Sequence, residues 1–246
     1  NYLGNNMDEK SLRTSTKQRI IIGFIAVLLF VSTIMVYALI VLNGEKSKKG
    51  TAEQNAELKV LAKELDEKKK DKENAVKALN DKYFETLKSA RSSIKSYNVS
   101  RAQNDGLKTI DLSVGTGATL EKESKYLAYY FGWCSDESVF DSSFDDNNNP
   151  KSLKDPLDVT GSGSLITGWS DGLVGAKLGG VRELHIPSTL AYGDTKEICG
   201  GKNSPLYFVI LPFEDEAYTK ATQEYQTVYR KYLNLQSEIR GTGSLF

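Results

Sequence analysis

The chain has 246 residues, 26% of them charged, and its 32 Lys+Arg balance 32 Asp+Glu. A net charge of zero gives no electrostatic reason to expect a nucleic-acid partner, and the length allows one or two compact domains. The two cysteines, Cys134 and Cys199, are too few for a disulfide scaffold and wrongly spaced for a zinc site, and the single histidine, His185, cannot supply a metal cluster.

Residues 1–19 form a short tail carrying Lys10, Arg13, Lys17 and Arg19. Residues 20–42 (IIIGFIAVLLFVSTIMVYALIVL) are unbroken by charge. At about 1.5 Å per residue they make a helix of roughly 35 Å, enough to cross a bilayer. A cleaved signal peptide would carry a shorter apolar region and a small-x-small site, so the stretch reads as a retained transmembrane helix. The basic residues before it, the short tail and the large remainder point to a cytoplasmic N-terminus with the rest extracytoplasmic, although Lys46, Lys48 and Lys49 come after the span.

Residues 43–98 read as a juxtamembrane linker. From 51 to 97 there is no Pro or Gly, and Ala, Glu, Lys and Leu dominate, which favours a long helix. Leu58, Leu61 and Leu65 form an apolar stripe that fails in the charge run 66–73 and resumes at Val76, Leu79, Tyr83, Leu87, Ala90 and Ile94. This is the pattern of an amphipathic helix with a charged interruption, or of a coiled coil. Such a helix would hold the C-terminal half of the chain away from the bilayer.

The texture then changes to short strands and turns. Residues 107–114, 126–133, 182–186 and 206–211 are strand-like, 173–178 is a short helical candidate, and Gly115-Thr116-Gly117, 147–150 and 161–163 are turns. His185 alternates with apolar neighbours as an outward strand residue would. Antiparallel strands around one short helix amount to an α+β domain over 106–214. Residues 215–246 are helical in pattern, with Ala221, Tyr225, Val228, Tyr232, Leu235 and Ile239 on one stripe. That stripe would pack on the domain, on the upstream helix, or on a second chain. A homo-oligomer or a partner would use helices 51–97 and 216–240.

Five ordered blocks within 106–214 carry a specific resemblance. Tyr129-Tyr130-Phe131-Gly132 is followed by Val139-Phe140-Asp141-Ser142-Ser143, then by Leu165-Ile166-Thr167-Gly168-Trp169. Ile186-Pro187 with Leu190-Ala191-Tyr192-Gly193 comes next, and Leu206-Tyr207-Phe208-Val209-Ile210 closes the series. Together they resemble the FKBP-type peptidyl-prolyl cis-trans isomerases. The resemblance implies an antiparallel sheet wrapped over a short helix, with an apolar pocket between them that takes proline-containing polypeptides and needs no cofactor. Trp169 would form the floor and Tyr130, Phe140, Phe208, Leu165 and Ile166 the walls. Tyr192 and Asp141 would stand at the rim, and the Ile166 N–H would meet a substrate carbonyl.

Two positions depart from the family pattern. Leu157 stands where an aromatic wall is common, and in the loop 195–204 Ile198 is the one apolar candidate to cover the pocket. Both would loosen the grip on proline. A disulfide between Cys134 and Cys199, if the fold brings their loops to one rim, would clamp that loop. Two functions stay open: an isomerase anchored at a membrane that assists the folding of exported or membrane proteins, and a non-catalytic FKBP-like binding module that scaffolds a membrane complex.

Overall fold

The computed structural model describes residues 52–160 and 165–240. The tail 1–19, the apolar stretch 20–42 and the start of the expected linker lie outside the described residues. Among the described residues no helix is long and apolar enough to cross a membrane.

Helix α1, Ala52–Ser89, runs without a break through the charge run. The apolar stripe lapses there because lysine side chains reach across to other elements. Lys68 pairs with Glu224 at 2.7 Å and Lys72 with Asp155. A 3-10 turn, Ala90–Ser93, and helix α2, Val99–Asn104, come next. Asn98 caps α2 by accepting the Arg101 N–H at 2.9 Å, satisfying one of the unpaired donors of its first turn.

The strands are β1 Lys108–Ser113, β2 Tyr126–Trp133, β3 Val139–Ser142, β4 Leu157–Val159, β5 Val181–Ile186 and β6 Leu206–Phe213. They form one antiparallel sheet in the order β1-β5-β6-β2-β3, with β4 also on β2. Helix α3, Thr167–Leu173, lies across one face, and helix α4, Glu216–Arg240, leaves the end of β6.

Successive strand residues point to opposite faces, and in the central strands both faces are covered, whereas β1 is exposed along its length. Ala128, Leu184, Ile186, Leu206, Phe208 and Ile210 pack with Trp169 and Leu173 of α3. On the other face Tyr129, Phe131, Trp133, Tyr207, Val209 and Phe213 pack with Leu79, Tyr83 and Leu87 of α1. The second half of α1, read from the sequence as part of the juxtamembrane linker 43–98, is thus a third layer on the sheet. Its aromatic contacts include Tyr83 to Phe213, with ring centroids 4.5 Å apart.

The first half of α1 pairs with α4 of the same chain, which runs antiparallel to it. Leu65, Val228 and Tyr232 are buried there, flanked by Leu58, Leu61, Tyr225 and Tyr229. Of the three arrangements the α4 stripe allowed, the structure shows pairing with the upstream helix of the same chain. His185 does lie on the face away from α3, yet it is covered too. Tyr97 stacks on Tyr207 at 4.2 Å and edges against His185 at 4.7 Å.

Candidate functional site

Helix α3 begins in the loop after β4, and its first turn carries Trp169. Gly168 permits the approach to β5, since a Cβ there would lie 2.3 Å from Cγ2 of Ile186. The other end of α3 is held by Arg182, whose Nη1 donates to the carbonyls of Gly172 (3.1 Å) and Val174 (3.0 Å). The Arg182 guanidinium is itself held by Asp111 through two bonds of 2.7 and 3.0 Å. That hydrogen-bonded fork keeps the Asp111 carboxyl below its ordinary pKa, against a smaller opposing effect of burial.

The Trp169 side chain is 3% exposed. Tyr130 and Phe208 meet its ring edge-on, each with centroids 5.2 Å away, and Phe140 stands edge-on to Phe208 at 5.4 Å. These are favoured quadrupolar geometries for aromatic pairs. Gly132, opposite both Asp141 and Phe208 in the sheet, makes room for them. A Cβ at Gly132 would lie 2.6 Å from Cζ of Phe140 and 2.7 Å from Cε1 of Phe208.

One side of this cup is polar. The Tyr130 hydroxyl donates to Oδ2 of Asp141 at 2.7 Å, and Asp141 is exposed. Burial, reinforced by the Asp141 charge, raises the Tyr130 pKa far above the ordinary phenol value, so the group stays a donor. The Tyr192 phenol is raised for the same two reasons.

The indole Nε1 of Trp169 donates to the phenolic oxygen of Tyr126 at 3.1 Å. Sequence reasoning misses the roles of Tyr126, Gly132, Arg182 and Asp111. For Gly132 the signal is its place in a motif block. Tyr126 carries no local signal, because its partner lies far along the chain.

The remaining sequence candidates gather at the same place. Leu157, Leu165, Ile166, Tyr192 and Ile198 are half-buried against the Trp169 cluster. Ile166 is the N-cap residue of α3, in extended conformation. The loop 195–204 is braced internally and tied to its surroundings. Ile198 and Gly201 exchange backbone hydrogen bonds of 3.1 and 3.2 Å, and the Asn203 N–H donates to the Gly193 carbonyl at 2.7 Å. Cys199 is joined to Cys134, at the end of β2, by a disulfide with Cα atoms 5.2 Å apart. Gly200, at φ +91°, takes the left-handed corner that this turn requires.

Residues 117–211 match the family model for FKBP-type peptidyl-prolyl cis-trans isomerase. The chain is 39% identical over 89 residues to the FK506-binding protein of Neisseria meningitidis serogroup B, covering 36% of this chain and 75% of that one. It is 43% identical over 74 residues to peptidyl-prolyl cis-trans isomerase FKBP15-1 of Arabidopsis thaliana, covering 30% of this chain and 44% of that one. The crystal structure of AtFKBP13 aligns with 31% identity over 46% of this chain and 95% of that one, at a TM-score of 0.38. The aromatic cup over Trp169 sits inside the matched residues, and the chain belongs to the FKBP-type peptidyl-prolyl cis-trans isomerases.

Proposed function

We propose that this FKBP-type isomerase works from a membrane on proline-containing segments of exported or membrane proteins. Its catalytic groups are Tyr130, Phe140, Asp141, Trp169, Tyr192 and Phe208, and Leu157, Leu165, Ile166 and Ile198 hold the substrate. The observation that carries the assignment is the cup itself: Tyr130 and Phe208 edge-on to a buried indole, Phe140 edge-on to Phe208, and one hydrogen-bonded carboxylate at the lip.

The chemistry derives from the bond. Rotation about an Xaa–Pro amide is opposed by about 18–20 kcal/mol of resonance stabilisation. The twisted transition state loses that resonance and part of the charge separation that water stabilises in the planar form. A dry aromatic cup that holds the proline ring on Trp169 therefore binds the twisted form better than the planar one. The N–H of Ile166 and the hydroxyl of Tyr192 fix the flanking carbonyls, and Tyr130 orients Asp141. No bond is made or broken, so neither nucleophile nor cofactor takes part.

The apolar run 20–42 supports a single N-terminal membrane helix. The Cys134–Cys199 disulfide supports an oxidising, extracytoplasmic compartment for the FKBP domain, with the N-terminus cytoplasmic. A catalytically weak or inactive binding module is the second reading, favoured by the loop 195–204, where Ile198 is the one apolar candidate to cover the pocket.

The test is relaxation of an Xaa–Pro tetrapeptide with the full chain, which is otherwise slow, on the order of tens to hundreds of seconds. Trp169→Leu is expected to lower kcat/KM at least about tenfold, the scale of losing well-oriented transition-state contacts. Retention of full activity removes Trp169 from the catalytic pocket. If the wild-type chain binds a proline peptide without accelerating it, the module reading stands instead. Protease accessibility in sealed vesicles, read with and without detergent, checks the anchor and its orientation.

A further inference from the structure

We propose that Tyr126 is a positioning residue for isomerisation: by accepting the indole N–H of Trp169, its phenolic oxygen fixes the orientation of the ring beneath the substrate's proline. The inference rests on the role proposed above for Trp169 and adds to it the group that sets the angle of the floor.

The indole meets Tyr130 and Phe208 edge-on. Such ring contacts are broad in angle and let the rings slide. The 3.1 Å bond from Nε1 to the Tyr126 oxygen is a directional contact, because an N–H donor weakens steeply as its angle bends.

Tyr126 is itself well held. It is the first residue of β2, paired with Val159 of β4, and is 8% exposed. Burial raises its phenol pKa, so the hydroxyl stays neutral through the physiological range. Both partners are buried, so water does not replace either one freely.

Helix α3 has only seven residues, with Gly168 beside Trp169 and Gly172 a turn later. A helix that short, carrying two glycines, leaves ring orientation to the contacts around the side chain. A small rotation of the indole about its own bonds would tilt the surface on which a proline ring rests. Isomerisation is sensitive to such tilts because the transition state is bound by shape rather than by a covalent bond.

A merely structural role for Tyr126 makes a different prediction from a positioning role, and the full chain separates them. In Tyr126→Phe the indole N–H resonance of Trp169, assigned by its disappearance in Trp169→Phe, moves upfield and exchanges faster with solvent. The kcat/KM for an Xaa–Pro tetrapeptide falls about threefold to tenfold, the factor a net hydrogen bond is worth. Trp169→Phe keeps an aromatic floor but has no N–H to fix. In that background Tyr126→Phe is expected to change kcat/KM by less than about twofold, the non-additivity of two groups acting through one contact.

Equal losses in the two backgrounds, an unchanged indole resonance, or full activity of Tyr126→Phe each overturn the inference. Full activity of both Trp169→Phe and Trp169→Leu is a separate outcome that overturns the role of Trp169 itself, and this inference with it. A lowered thermal midpoint with unchanged kcat/KM marks Tyr126 as structural and likewise overturns the proposal.

Discussion

A single missing side chain shapes the cup. Gly132 sits where a Cβ would press into Phe140 and Phe208. Gly132→Ala forces one ring inward or strains the strand, at about 1–3 kcal/mol for such overpacking. The expected result is at least about a tenfold fall in kcat/KM with a lowered thermal midpoint, read by peptide isomerisation and melting. On the opposite face Glu183 is 4% exposed, and its Oε1 lies 2.5 Å from His185 Nε2 and 3.1 Å from the Tyr97 hydroxyl. Burial alone would raise its carboxyl pKa, but hydrogen bonds from His185, Ser93 and Tyr97 outweigh burial and bring it below the ordinary value of 4.5. A carboxyl lowered in the folded state contributes stability that is fully present above the unfolded pKa. That contribution is lost as pH falls through the folded value. Thermal midpoints measured from pH 6 to pH 3 should therefore decline below about pH 4.5. Glu183→Gln should start from a lower midpoint and flatten that decline.

Among the elements, α1 departs most from what its sequence suggested. Its stripe announced an amphipathic helix, but a stripe does not say what covers it. The missing clue lay in the strands: β2 (YLAYYFGW) and β6 (LYFVILPF) lack polar alternation, and every residue of β6 is buried. Strands read that way when both faces are covered, so a second covering layer was legible there rather than in the helix. Leu79 and Leu87, 1% and 0% exposed, are that layer's anchors. Each Leu→Ala change should cost about 2–5 kcal/mol in urea denaturation, whereas Val60→Ala, at a site 66% exposed, should stay within about 0.5 kcal/mol. The cup was legible because its groups lie in ordered motif blocks. Tyr126 was not, since its hydroxyl matters only through a ring that reaches it across the fold. The pairing of α4 with α1 was one of three arrangements its stripe allowed. Long-range ion pairs such as Lys68 to Glu224 belong to that arrangement, and the sequence alone does not reveal them.

For the molecule as a whole, the Cys134–Cys199 bridge closes a span of 65 residues. In the chain-entropy account a loop of that size stabilises by roughly 4 kcal/mol. Reductant, or Cys199→Ser with Cys134→Ser, should lower the thermal midpoint and weaken proline-peptide binding as Ile198 is released. A midpoint unaffected by reductant would show that the bridge contributes no net stability. The three-layer arrangement has a mechanical consequence as well. A pull on the upstream end of α1 does not run into a slack tether. It loads the interfaces of α1 with α4 and with the sheet in shear, so that Tyr83 and Leu87 bear force alongside the aromatic residues of β2 and β6. Peeling α1 away would strip one face of the sheet whose other face forms the cup. Tension along this chain should therefore be felt at the isomerase pocket, through the strands that the two faces share.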